Sequence, residues 1–301
     1  MNLSCGARGM RMPHSDNFIR LRSFSDDDIM AKGRPMINEG DFKLGESLSK
    51  IKHVIIVISG KGGVGKSTVS SNLAVSLAMK GLRTGLMDAD IHGPNIPKML
   101  GIEDAMMAVE NDKLVPVDSV HGVKVMSMAF LLPERDAPVA WRGPVKMGAI
   151  RQFIEDVEWG DLDYLVIDMP PGTGDEAISI IQLIPKADGM VVVTTPQDVS
   201  LLDSRKSVVF AANTKIPVIG IIENMSGFIC PHCGERTDIF KTGGGENTAK
   251  EMNVQFLGSV PIEPGIVVSG DSGTPVVSSS PDSASAKAFL NIADKIIRTV
   301  G

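Results

Sequence analysis

The chain has 301 residues, 43% hydrophobic and 22% charged, with a net charge of −6. That is the profile of a soluble globular protein, and a pI near 5.4 argues against binding nucleic acid through a basic surface. Only 4% of residues are aromatic and only three are cysteine, which disfavours a base-stacking platform or a disulfide scaffold and points to a reducing, cytoplasmic setting.

Residues 1–45 are polar, with no sustained period of 2 or 3.6, and are expected to form a flexible lead-in. Arg8, Arg11, Arg20 and Arg22 lie there without the apolar segment of a secretory signal, and Asp16 interrupts the pattern of a transit peptide. The folded domain is expected over 46–301. "HVIIVIS" (53–59) is a continuous apolar, β-branched run, which suits a strand buried on both faces. The pattern G-x-x-x-x-G-K-[ST] follows at once, with Gly60, Gly65, Lys66 and Ser67 at its fixed positions. "STVSSNLAVSLAMKG" (67–81) has helical spacing and ends at a glycine suited to a C-cap. "RTGLMDAD" (83–90) reads as a second strand ending in acids.

Residues 103–130 read as an inserted hairpin turning at "ENDK". Apolar, strand-like runs recur at 163–172, 189–197, 216–225 and 254–262, with helical patterns between them. The tail from 265 is rich in Ser, Gly and Pro to about 283 and then closes with a helix. That helix is only mildly amphipathic, so it reads as core-packing rather than membrane-bound. No apolar run approaches the roughly 18 residues of a membrane span. Strand–helix alternation with apolar strands predicts an α/β fold of the P-loop NTPase type: a mostly parallel central sheet with helices on both faces. Ligands then bind at the C-terminal ends of the strands.

The chemistry of the loop follows from its residue types. Glycines let backbone N–H groups wrap phosphate oxygens, and the following helix turns its positive end to the anion. Lys66 is placed to reach the β- and γ-phosphates, and the Ser67 hydroxyl to ligate Mg²⁺. Asp168 ends a strand where a metal-supporting acid belongs, and Asp88 and Asp90 end its neighbour. "CPHC" puts Cys230 and Cys233 two residues apart, able to bring two thiolates to one metal or cluster. Zinc and a [4Fe–4S] cluster both take four ligands, so either needs a second chain, and a redox dithiol is the third reading.

"GKGGVGKST" (60–68) resembles the deviant Walker A motif of the MinD-like ATPases. "DADIHGPNIPKMLG" (88–101), "DMPPGTGDE" (168–176), "TTPQDVSLLD" (194–203) and "ENMSGFICPHCG" (223–234) resemble the Mrp/ApbC branch of iron–sulfur cluster carrier ATPases, over residues 45–300. The resemblance implies ATP bound by Gly60, Lys61, Gly62, Gly63, Val64, Gly65, Lys66, Ser67 and Thr68. Lys61 would act across a homodimer on the partner's nucleotide, somewhat as an arginine finger does. Asp90 would position water in switch I, and Asp168 would be the Walker B acid. Asn224 would lie at the adenine, with the Pro261–Glu263 loop beside the base. It also favours a [4Fe–4S] cluster shared between Cys230 and Cys233 of two chains, destined for apo iron–sulfur proteins, with no nucleic-acid or membrane partner. Asn224 without a nearby N-K-x-D motif favours adenine over guanine. Many bacterial members carry an extra N-terminal domain, for which 45 residues are too few. The competing class is a MinD/ParA-like spatial organiser, in which "CPHC" would serve only a structural zinc at the dimer interface, and which the acidic pI and the weakly basic last helix disfavour.

Overall fold

A computed structural model describes residues 48–111, 113–131, 143–184, 186–230 and 232–301. The expected lead-in over 1–45, with Cys5, lies outside them.

Strand β1 (Ile51–Ser59) is buried along nearly its whole length, as a continuous β-branched run requires. Its side chains alternate between two cores. Ile56 and Ile58 pack on one face, Ile55 and Val57 on the other. Helix α1 (Lys66–Met79) follows and β2 (Thr84–Asp88) comes next. The turn between them closes at Gly81 with φ +81°, a left-handed conformation that glycine adopts without cost.

A short helix α2 (Ile96–Met99) then leads to β3 (Ala108–Glu110) and β4 (Lys113–Val115), which form the antiparallel hairpin expected at "ENDK". The expectation of one insertion over 103–130 is otherwise corrected. Strands β5 (Val117–Asp118) and β6 (Val123–Ser127) join the central sheet at its edge. They are short, and β6 is buried through most of its length, so no clean alternation marks it.

The remaining elements are α3 (Gly143–Glu155), β7 (Leu162–Asp168), α4 (Asp175–Leu183), β8 (Gly189–Thr194), α5 (Asp198–Asn213) and β9 (Val218–Glu223). After them come the two-residue strands β10 (Phe228–Ile229) and β11 (Arg236–Thr237), α6 (Gly244–Glu251) and β12 (Phe256–Ser259). The chain closes with α7 (Pro264–Asp271), α8 (Val276–Ser279) and α9 (Ala284–Val300). The Ser/Gly/Pro-rich stretch is thus partly helical, α7 opening with Pro264 at a position where a missing N–H costs nothing.

The central sheet has eight strands in the order β12-β9-β8-β1-β7-β2-β6-β5. All neighbours are parallel except β5, which runs antiparallel to β6. One face is covered by α3, α4, α5 and α6 through residues such as Phe153, Ile180, Val208 and Ala249. The other is covered by α1, α8 and α9 through Leu73, Val277, Phe289 and Ile296. The last helix is therefore a core helix, and Ser283 caps it by accepting from the Ala286 N–H. No helix among the described residues is long and apolar enough to cross a membrane.

Candidate nucleotide site and cysteine hairpin

The parallel registers bring the C-terminal ends of five strands to one rim. Val57 and Asp88 both pair with Asp168, Ser59 pairs with Val193, and Thr194 pairs with Glu223. The phosphate loop leaves β1 at this rim and enters α1 through Gly65, whose φ is +80°. A Cβ at Gly65 would lie 2.2 Å from Asn224 Nδ2, and one at Gly60 would lie 2.4 Å from the Asp203 carbonyl oxygen. Both positions require glycine. The N–H groups of Lys61 through Thr68 donate to no acceptor among the described residues. A loop of free donors at a helix N-terminus fits an anion of phosphate type.

Behind the loop lies a buried polar centre. Lys66 Nζ is 2.7 Å from Asp168 Oδ2. The Ser67 hydroxyl donates to the same oxygen at 2.7 Å, and the Ser70 hydroxyl donates to Oδ1 at 2.6 Å. Asp88, 1% exposed, accepts from the Ser127 hydroxyl at 2.9 Å and from the Asp90 N–H at 3.2 Å. Burial, and next the negative charge of Asp168, push the Asp88 carboxyl up to about 8, against the opposing Ser127 hydrogen bond. One lysine faces two buried acids, and burial favours the protonated form of Asp88. Asp90 is half-buried and accepts from the His92 N–H at 3.1 Å. Lys61 is half-buried, and its carbonyl accepts from the Ser59 hydroxyl at 3.0 Å.

The other predicted contacts divide. Asn224 is buried at the end of β9, and its Nδ2 donates to the Val64 carbonyl at 2.9 Å, bracing the phosphate loop. Pro261 and Glu263 follow β12. The Glu263 carboxylate accepts from the N–H of Ala284 at 3.3 Å and of Ser285 at 3.0 Å, and from the Ser285 hydroxyl. Its side chain thus closes the start of α9.

The cysteines lie on a separate hairpin. Phe228 pairs with Thr237 and Ile229 with Arg236. The Cys230 N–H donates to the Glu235 carbonyl at 3.0 Å, and the Gly234 N–H to the Cys230 carbonyl at 2.8 Å. Both thiols are free, Cys230 half-buried and Cys233 exposed. Hydrogen bonds from the Cys233 N–H, then the His232 N–H and the Cys233 thiol, hold the Cys230 thiol below its ordinary pKa. That geometry favours a thiolate, the form that binds metal. No group of three or more His, Cys, Asp or Glu side chains among the described residues is placed to hold a metal ion.

Three contributors escaped the sequence reading. Ser70 sits one helical turn after Lys66, so i,i+4 spacing on α1 was a usable signal. Ser127 and Glu223 carry no such local mark.

Comparison with known proteins agrees with this architecture. The ParA family described as NUBPL iron-transfer P-loop NTPase matches residues 50–297. The chain belongs to this family. An iron–sulfur cluster carrier protein of Methanocaldococcus jannaschii is 50% identical to this NTPase over 267 residues, covering 89% of this chain and 91% of that one. A protein of Dictyostelium discoideum named cytosolic Fe-S cluster assembly factor NUBP2 homolog is 48% identical, covering 81% and 95%. A nucleotide-binding protein of Archaeoglobus fulgidus, solved in complex with ADP and with cobalt, superposes with a TM-score of 0.69 at 42% identity, covering 77% of this chain and 91% of that one.

Proposed function

We propose that this P-loop NTPase binds and hydrolyses Mg·ATP, and carries a [4Fe–4S] cluster to apo iron–sulfur proteins in the cytoplasm. The cluster is held between Cys230 and Cys233 of two chains. The observation that carries this reading is the Cys230–Cys233 hairpin: two free thiols, backbone N–H groups turned to one sulfur, and no further ligand among the described residues. A [4Fe–4S] cluster takes four thiolates, so the arrangement calls for a second copy. The names of the Methanocaldococcus and Dictyostelium relatives support the same cargo, and the Dictyostelium name supports the same compartment. The working unit is residues 46–301.

In this reading the N–H groups of residues 61–68 cradle the phosphates of ATP, and Lys66 exchanges its pairing with Asp168 for the β- and γ-phosphates. The Ser67 hydroxyl, already beside Asp168, fits Mg²⁺, which supplies positive charge against the phosphate oxygens. Asp90 orients the attacking water. Lys61 reaches the nucleotide of the second chain. Asn224 and the Pro261–Glu263 loop face the adenine.

Anaerobic reconstitution tests this. The wild-type protein should elute as a dimer with about four irons and four sulfides per two chains. Cys230→Ser or Cys233→Ser should each eliminate the cluster, whereas Cys5→Ser should leave it. A zinc-filled dimer without iron, or a monomer holding a full cluster, would overturn the reading.

A further inference from the structure

We propose that the turn Glu223–Ser226 couples the phosphate loop to the cysteine hairpin, so that nucleotide binding changes how firmly Cys230 and Cys233 are held. The proposal rests on the ATP-binding reading above and adds the residues that connect its two halves.

Glu223 ends β9 as a fully buried carboxylate. Its Oε1 accepts from the Ser226 hydroxyl at 2.6 Å and from the Gly243 N–H at 2.9 Å, and Oε2 accepts from the Gly245 N–H. Ser226 and Gly243 are the two ends of the segment that bears the cysteines. One buried charge therefore clasps both ends of the hairpin, with charge-assisted bonds that are stronger than neutral ones. The other attachments differ in kind. Among the described residues, main-chain bonds join Ser226 to Val260 and Gly227 and Ile229 to Ile262, and an exposed pair between Lys241 and Asp198 is screened by solvent.

The next residue faces the opposite way. Asn224 holds the Val64 carbonyl inside the phosphate loop. Met225 follows with φ +57°, a left-handed conformation that a side chain-bearing residue adopts only when its surroundings impose it. Its Cε lies 3.7 Å from where a Gly65 Cβ would be. A movement of Val64 and Gly65 on binding phosphate thus meets a turn with little slack, and the carboxylate one residue upstream transmits it to the hairpin. A plain cap on α6 would hold the hairpin equally with and without nucleotide, and this difference makes the proposal testable.

The experiment follows amide hydrogen exchange in the cluster-free full chain, with and without Mg²⁺ and a non-hydrolysable ATP analogue. In the wild type, nucleotide should protect the α1 amides and change exchange across 226–243 by about tenfold. Glu223→Gln keeps the side-chain shape but loses the charge. It should retain α1 protection and lose most of the hairpin response. Should that variant fail to fold, Ser226→Ala removes one of the three bonds and should reduce the response in part. Protection of α1 with an indifferent hairpin in the wild type would overturn the coupling alone, as would a full response in both variants. Absence of α1 protection in the wild type would overturn the ATP reading together with the coupling. Because the cysteines carry no cluster in this assay, failure of the cluster reading appears separately, in the iron analysis.

Discussion

At the scale of single residues, the buried centre is an imbalance of charge. Lys66 pairs with Asp168 at 2.7 Å, and Asp88 feels the same lysine only at longer range. Burial, and next the charge of Asp168, push its carboxyl up to about 8 in the folded chain, against near 3.9 when unfolded. Between those values the folded state binds the extra proton, so this group's contribution to stability falls as pH rises from about 4 to about 8. Asp88→Asn cannot ionise and escapes that loss. The wild-type Tm should therefore decline relative to the variant's between pH 5 and pH 8, the gap shifting steadily in the variant's favour. Parallel thermal melts across that range measure it, and a gap that does not change with pH would remove Asp88 as its source.

At the scale of elements, the unit β1–loop–α1 works because its glycines admit what no other residue could. Gly65 combines φ +80° with a Cβ position 2.2 Å from Asn224 Nδ2. Gly65→Ala should strain the backbone and displace Asn224 from Val64, costing about 1–3 kcal/mol. A lower urea midpoint and a nucleotide affinity reduced by about tenfold or more should accompany each other. Gly62 is the internal control. Among the described residues nothing lies closer than 4.0 Å to its Cβ position, so Gly62→Ala should change stability by no more than about 0.5 kcal/mol. Equal losses from the two substitutions would show that steric fit at Gly65 is not what the loop depends on. Most of this unit was legible in the sequence, because a β-branched run, a glycine-rich loop and a helical pattern are each local signals.

At the scale of the whole molecule, the proposed function calls for a second copy twice: to complete the thiolate set begun by Cys230 and Cys233, and to give the extra lysine of the phosphate loop a nucleotide to act on. If Lys61 works across the dimer, Lys61→Ala should bind Mg·ATP nearly as wild type while its hydrolysis falls by about tenfold or more. Lys66→Ala should be inactive alone. Mixed dimers of the two variants contain one intact loop that receives the other chain's Lys61, so mixing should restore turnover. Steady-state hydrolysis on confirmed heterodimers checks this, and no recovery would place the action of Lys61 within its own chain.

The sequence by itself determined the kinds of chemistry present and the alternation of elements. The phosphate loop, the strand-end acids and the paired cysteines each declare themselves within a few consecutive residues. It also showed that the strands are buried on both faces, since Ile55 to Ile58 offers no polar side. Only the tertiary structure decided which strands are neighbours. The order β1-β7-β2-β6 brings Asp168 beside Lys66, and Asp88 beside Ser127, which lies 39 positions away. It placed residues 117–127 in the central sheet, turned Glu263 to the start of α9, and set Glu223 against Ser226, Gly243 and Gly245. These contacts join segments distant along the chain, and their partners are fixed by strand order and register. No local periodicity records that arrangement.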